Sequence, residues 1–246
     1  HGAKTLTALG HEGKLSPADV SALAQHREGD FHCHKPGALS ITQSTECGTV
    51  YTVEEVSALT KTARDHELKT HMDGARFANA VSSLDCSPAD ITWRAGVDVL
   101  CFGGSKNGMG LGEAVVFFDK ALAVDFAWRC KQAGQLCSKM RVLSSQWLGS
   151  LEDDVWAKNA AHANAMAQRL ADGINETGKL KLNYPVQANA VFVDLPEDTK
   201  AALHNCGWHF YDFDGAGSRL MCAWDTLADT IDRFLDDLNR CLQDHG

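Results

Sequence analysis

The chain has 246 residues, 44% hydrophobic and 22% charged, with a net charge of −9. That length is enough for one large domain or two small ones with a sizeable core. The acidic balance, with no Lys/Arg-rich block, argues against a nucleic-acid surface, and no apolar run reaches membrane-spanning length. A small anionic ligand stays compatible with these numbers, because it needs only a few local donors.

In chain order, the sequence opens at His1 rather than Met, in a stretch that already reads as structured and not as a signal peptide, so a processed chain or a fragment is expected. His32-Cys33-His34 is a dense cluster, but its spacing fits no common zinc pattern, and a polar loop between Gly29-Asp30 and Lys35-Pro36-Gly37 is the plainer reading. ALSIT (38–42) is a short strand. After a polar loop, VEEVSALTKTARDHE (53–67) has Val56, Leu59 and Ala63 at helical spacing. Thr52 is its N-cap, and Glu55 completes a capping box. LKTHMD (68–73) is the next strand and ARFANAVSSL (75–84) the next helix. SPADITWRAG (87–96) predicts a further helix, with Ser87 capping and Pro88 at the first helical position. VDVLCFGG (97–104) and EAVVFFD (113–119) read as buried strands.

Strands and helices thus alternate over the first 120 or so residues, the pattern of an α/β fold with a mostly parallel sheet. From Lys120 to about Thr177 the pattern is almost wholly helical, long enough to bridge two domains. KLNYPVQANAVFVDL then predicts a strand, PEDTKAALHNCG a helix ending in glycine, WHFYDF and SRLMCAW two strands, and LADTIDRFLDDLNRCLQ a last amphipathic helix. This tail reads as a small α+β domain. The nine cysteines are odd in number and form no C-x-x-C pair. Reduced thiols in a cytoplasmic protein are expected, rather than a disulfide framework or a zinc site.

Two stretches carry chemistry. In THMDGARFANA (70–80) a strand ends on Asp73, and Arg76 follows three residues later. Asp73 could cap the helix that follows, with Arg76 a solvated partner. Capping is the plainer reading of this stretch alone, but Asp73 could instead be a ligand residue, because open α/β sheets bind small molecules at the carboxyl ends of their strands. In VDVLCFGGSKNGMGLGEAVVFFD (97–119) two strands flank five glycines and a single lysine, Lys106. A dinucleotide fingerprint is rejected, because the glycines run into a strand instead of a helix N-terminus. A lysine forming a Schiff base with pyridoxal phosphate fits better. Such an amine needs a dry site to lose its proton, glycines let backbone approach the ring, and the ring nitrogen needs a carboxylate, which Asp73 supplies. Asp73 and Lys106, each ending a strand of one sheet, favour the ligand reading.

HMDGARFANA followed by FGGSKNGMGLGEAVVFFD resembles the low-specificity L-threonine aldolases, pyridoxal-phosphate enzymes of the aspartate-aminotransferase fold (fold type I). ALSITQSTECGTVYT, KQAGQLCSKMR (131–141) and SRLMCAWDT (218–226) extend the resemblance over nearly the whole chain. It implies that residues 1–150 are the C-terminal part of the cofactor-binding large domain and 151–246 a small C-terminal domain. It implies cofactor contacts from Lys106, Asp73, Ala75, Arg76 and Arg141, and a substrate carboxylate held by Arg219 with Arg76. Many members carry a histidine beside the substrate hydroxyl about where Glu46 stands, so Glu46 either contacts the hydroxyl there in a catalytic, substrate-binding role or simply holds the loop. Members also extend further at the N-terminus, through the phosphate loop and a histidine that stacks on the ring. The implied activity is cleavage of L-threonine, L-allo-threonine or a related β-hydroxy-α-amino acid to glycine and an aldehyde, without a metal, in a homodimer or homotetramer. The rivals are β-elimination, racemisation or transamination on the same cofactor, and a non-catalytic fragment.

Overall fold

The structure is a computed structural model and describes residues 3–26 and 29–244. A first helix, α1 (Pro17–Ala24), starts on a capping box in which Ser16 and Asp19 satisfy each other's backbone N–H. The same device starts α2 (Val53–Asp65), where Thr52 and Glu55 play the two parts as their spacing predicts. Helix α3 (Phe77–Leu84) follows β2 (Lys69–Gly74), which itself follows β1 (Ala38–Thr42) through α2. Strand β3 (Val99–Gly103) leads through a single turn of 3-10 helix, Ser105–Asn107, to β4 (Glu113–Phe117).

These strands form one sheet in the order β1-β2-β3-β4, the first three parallel and β4 antiparallel to β3. Alternation decides its faces. Leu39, Ile41, Met72 and Leu100 point to one side and are buried with Val56, Leu59 and Ala63 of α2 and Phe77, Ala80 and Val81 of α3. Each large side chain so buried contributes about 1.5–3 kcal/mol. Ser40, His71, Asp73 and Cys101 alternate to the other side and remain partly accessible. Strand β4 is a sheet edge with two exposed positions rather than the buried strand its apolar run suggests.

Helices α4 (Phe126–Gln132), α5 (Met140–Leu151) and α6 (Val155–Glu176) follow. A left-handed pair, Asp153 and Asp154, breaks the chain between α5 and α6. After α6 come β5 (Ala190–Val193), α7 (Glu197–Asn205), β6 (Tyr211–Phe213), β7 (Gly217–Met221) and α8 (Ala228–Asp244). The second sheet is antiparallel, in the order β5-β7-β6. Its core joins Val191, Val193 and Leu220 to Leu203 of α7 and Phe234 and Leu238 of α8. Helix α6 serves both cores. Trp156 packs on the first, and Ala167, Leu170, Ala171 and Ile174 belong to the second. Buried Ala160 and Ala163 keep its surface small where it lies on α3, and two amides lock that contact. Asn79 Nδ2 donates to Asn164 Oδ1, and Asn164 Nδ2 donates to the Asn79 carbonyl, both at 2.9 Å.

SPADITWRAG is a chain of turns instead of a helix. Ser87 accepts from Ala89 N and Pro88 precedes the turns, but Arg94 and Val97 donate to carbonyls five residues back, and Gly96 takes φ +95°. Thr92 Oγ1 also donates back to the Pro88 carbonyl, which competes with a regular ladder.

Gly74 marks where the first sheet tolerates no side chain. A Cβ there would stand 2.6 Å from the Cys101 carbonyl oxygen and 2.9 Å from Phe77 Cβ. Gly74→Ala is expected to cost about 1–3 kcal/mol by overpacking, read as a lowered melting temperature. Unchanged thermal unfolding would show that the strand end yields freely.

Candidate active site

Three loops leave the first sheet at one edge, and each is pinned by hydrogen bonds. After β1, Gln43 N donates to the Asp73 carbonyl at 2.8 Å, extending the pairing by one residue. The buried Gln43 amide then clamps the Tyr51 backbone in both directions, at 2.8 and 3.0 Å. Between these anchors Thr45 Oγ1 and Thr49 Oγ1 meet at 2.7 Å, and Thr49 Oγ1 donates to the Glu12 carbonyl. The loop so held presents Glu46.

After β2, Asp73 Oδ1 accepts from Ala75 N at 2.9 Å, a two-residue side-chain turn. Asp73 is therefore not the cap of α3. The N-cap is Arg76, which makes no side-chain capping bond. Among the described residues Asp73 Oδ2 makes no hydrogen bond, which leaves one carboxylate oxygen available to a ligand. Gly103 lets β3 pass beneath this turn, since a Cβ there would lie 2.7 Å from Ala75 Cα.

After β3, Lys106 sits on the 3-10 turn. The turn is pinned by Asn107 Nδ2 donating to the Trp156 carbonyl at 2.7 Å and by Asn159 Nδ2 donating to the Asn107 carbonyl at 3.0 Å. Gly110 N donates to Gln146 Oε1 at 2.9 Å, which ties the glycines to α5. Gly108 ends the turn at φ +99°, a conformation that favours glycine. Lys106 itself is exposed, contrary to the dry environment expected of a Schiff-base lysine.

The second sheet contributes Arg219. Its neighbours across β7 are Phe192 on β5 and Tyr211 on β6. The guanidinium therefore lies 5.9 Å from the Phe192 ring and 5.3 Å from the Phe213 ring, and Nη1 donates to Tyr211 Oη at 2.8 Å. Its Nε is buried and has no partner. Arg219 Nη2 faces Glu46 Oε2 at 3.5 Å, and Arg76 Nη1 faces Glu46 Oε1 at 3.7 Å. The two arginine side chains are only 8% and 11% exposed, whereas that of Glu46 is 52% exposed. Burial, and then repulsion from Arg219, push the Arg76 pKa below its ordinary value, with Glu46 opposing both. The arrangement is an anion seat.

The sequence reading had named Asp73, Arg76, Glu46, Lys106 and Arg219. Glu46, Arg76 and Arg219 meet in ion pairs, and Asp73 and Lys106 end neighbouring strands. Arg141 lies on the exposed first turn of α5, and among the described residues it makes no hydrogen bond or ion pair with that group. Tyr211, Phe192 and Phe213 escaped the sequence reading, although alternation on β6 and β7 carried a signal for Tyr211. A polar line across three strands also escaped it. Ser40 Oγ meets His71 Nδ1 at 2.9 Å, and His71 Nε2 meets Cys101 Sγ at 3.2 Å. Burial lowers the His71 pKa against the opposing charge of Asp73, and burial raises the Cys101 thiol. His32 and Cys33 lie in a turn around Asp30, and among the described residues no His, Cys, Asp or Glu group is placed to hold a metal.

The donor set fits a pyridoxal cofactor. A carboxylate with one unengaged oxygen suits a protonated ring nitrogen, and a glycine-flanked lysine lies on the adjacent strand end.

Comparison with known proteins agrees. A family model described as beta-eliminating lyase matches residues 1–198. Low specificity L-threonine aldolases of Pseudomonas sp. (strain NCIMB 10558) and Pseudomonas aeruginosa are 52% and 48% identical over 92% and 97% of this chain. The chain spans 65% and 69% of their lengths, about two thirds of these curated relatives. The threonine aldolase structure from Leishmania major matches with a TM-score of 0.90 at 32% identity, over 97% of this chain and 70% of that one. An aspartate aminotransferase of Thermus thermophilus matches at 19% identity with a TM-score of 0.61, over 83% of this chain and 56% of that one, a likeness of fold alone. By family model, by sequence and by its fold type I architecture, this chain belongs to the beta-eliminating lyase family, alongside the low-specificity L-threonine aldolases.

Proposed function

We infer that this chain belongs to a pyridoxal-phosphate-dependent carbon–carbon lyase that cleaves L-threonine, L-allo-threonine or a related β-hydroxy-α-amino acid, of the phenylserine type, to glycine and an aldehyde. The observation that carries the reading is the pairing of Asp73, its free oxygen at the end of β2, with a buried two-arginine seat and the lysine of the adjoining loop. Pyridoxal phosphate, when bound, supplies an electron sink for the pair released as the Cα–Cβ bond breaks. Asp73 holds a proton on the ring nitrogen by its charge. Lys106 supplies the amine that anchors the cofactor and a proton donor for Cα of the departing glycine. Arg219, with Arg76, fixes the substrate carboxylate and so orients the bond to be broken. Arg76 and Ala75 also border the cofactor, and Arg141 is assigned to its phosphate side. Glu46, on the loop after β1, is the candidate to contact the β-hydroxyl, whose proton has to leave as the aldehyde forms.

Residues 1–150 are assigned to the large, cofactor-binding domain and 151–246 to the small domain, a division that the two hydrophobic cores follow except that Trp156 and Ala188 join the first. A homodimer or homotetramer is supported by the exposed Trp128, Val142, Leu148 and Leu151 on α4 and α5. Among the described residues no disulfide links the cysteines, which supports a cytoplasmic setting, and no helix is long and apolar enough to cross a membrane. The family description favours one second reading, β-elimination. Product analysis separates the two, glycine with an aldehyde against a keto acid with ammonia.

Lys106→Ala is expected to abolish the visible absorbance of bound cofactor without lowering the melting temperature, because the side chain is exposed and adds nothing to the core. A retained absorbance band removes Lys106 from the proposal. Asp73→Asn keeps an oxygen to accept from Ala75 N, so stability should hold while turnover falls by about a hundredfold or more as the ring nitrogen loses its charge partner. Activity at the wild-type level would make Asp73 a purely structural turn residue. Arg219→Lys keeps the charge but loses the two-pronged geometry, and KM should rise about tenfold or more. Steady-state kinetics indistinguishable from wild type would assign Arg219 to packing.

A further inference from the structure

Glu46 has two arginine partners, and neither holds it closely. Charge-assisted N–H···O bonds run about 2.7–2.9 Å, whereas Glu46 stands 3.5 Å from Arg219 Nη2 and 3.7 Å from Arg76 Nη1. Both contacts are loose ion pairs across a half-exposed carboxylate.

The donors of Arg219 are unevenly used. Nη1 is committed to Tyr211, Nη2 has only the distant Glu46, and Nε is buried without a partner. Nε and Nη2 form one edge of the guanidinium, and that edge is the two-pronged donor that matches a carboxylate. An unpaired buried N–H costs about 1–3 kcal/mol. The edge therefore has donor capacity that Glu46 does not meet.

Charge points the same way. Arg76 and Arg219 bring two positive charges, and their repulsion helps lower the Arg76 pKa. Glu46 offsets one of them, and an arriving carboxylate offsets the other. Asp73 adds a weaker negative charge at Arg76, so Glu46 can stay beside Arg76 while the ligand moves it aside from Arg219 without expelling it.

The geometry points to Glu46 as the resident, displaceable occupant of the carboxylate seat. An α-carboxylate takes the Nε–Nη2 edge of Arg219, and Glu46 withdraws from Arg219 to Arg76. Glu46 thereby sets carboxylate affinity by competition and keeps two buried guanidiniums compatible in the empty site. This inference rests on the substrate-carboxylate reading above.

The test uses the full-length protein with glycine as the probe. With cofactor bound, calorimetric titration of Glu46→Gln should give a glycine dissociation constant lower than wild type by about fivefold, the effect of removing one partly exposed competing charge. In the cofactor-free protein the same substitution should lower the melting temperature, because the two guanidiniums then lack a counter-charge. If Glu46→Gln does not fold, Glu46→Asp decides: it keeps the charge but cannot reach both arginines, and glycine should again bind more tightly. Unchanged or weaker glycine binding in the variant that folds overturns the proposal, as does a melting temperature of Glu46→Gln at or above wild type. Arg219→Lys separates this failure from that of the underlying reading. If it leaves glycine affinity untouched, the seat itself is misassigned and both fall. If it weakens glycine while Glu46→Gln fails to tighten it, only the displacement is wrong.

Discussion

Parallel register is the constraint on which the site depends. Thr42 pairs with Asp73, and Asp73 with Cys101, so β1, β2 and β3 end at one level. Parallel strands share a direction, and the loops that follow them therefore leave at the same edge. Glu46, Arg76 and Lys106 are brought to one edge by that rule, though helices separate the three strands in the chain. The antiparallel β4 closes the edge, returning Glu113 to within 3.4 Å of Ser105 N.

The second sheet must deliver Arg219 to this edge, and a loose join between the two cores would defeat it. Helix α6 makes the join stiff. Its small buried alanines allow close approach to α3, and the paired amides of Asn79 and Asn164 satisfy each other in one relative position only. Asn107 and Asn159 extend the same logic to the lysine turn, which is hydrogen-bonded to the α6 helix rather than to its own strand. The anion seat is thus supported by neutral amide contacts, which do not compete with it for charge.

The electrostatics of the seat are under-compensated. Arg219 has aromatic faces and a phenol around it but lacks a close carboxylate, and Arg76 is nearly as buried. Cation–π contacts contribute about 0.5–2 kcal/mol, short of the several kcal/mol that desolvating a guanidinium costs. Local packing holds that excess positive charge in place, which is what a site for an external anion requires.

Local sequence signals determined much of this protein. The capping box of α2, the alternation of the strands, the amphipathic last helix and the rejection of a dinucleotide loop all follow from interactions within a few residues. The motif HMDGAR and the lone lysine among glycines pointed to a cofactor site, because each places a rare residue type at a strand end. Other features were decided only in three dimensions. Asp73 could have been a cap until its turn to Ala75 left Arg76 at the helix start. SPADITWRAG carried helix-start residues, yet Gly96 and the back-bonded Thr92 made it a run of turns. Lys106 is exposed because cover for a glycine loop has to come from chain distant in sequence. The meeting of Glu46 with two arginines, one from each sheet, could not be read from spacing. Ion pairs between separate elements depend on how those elements pack, and that is fixed by the cores and by α6 rather than by any local pattern.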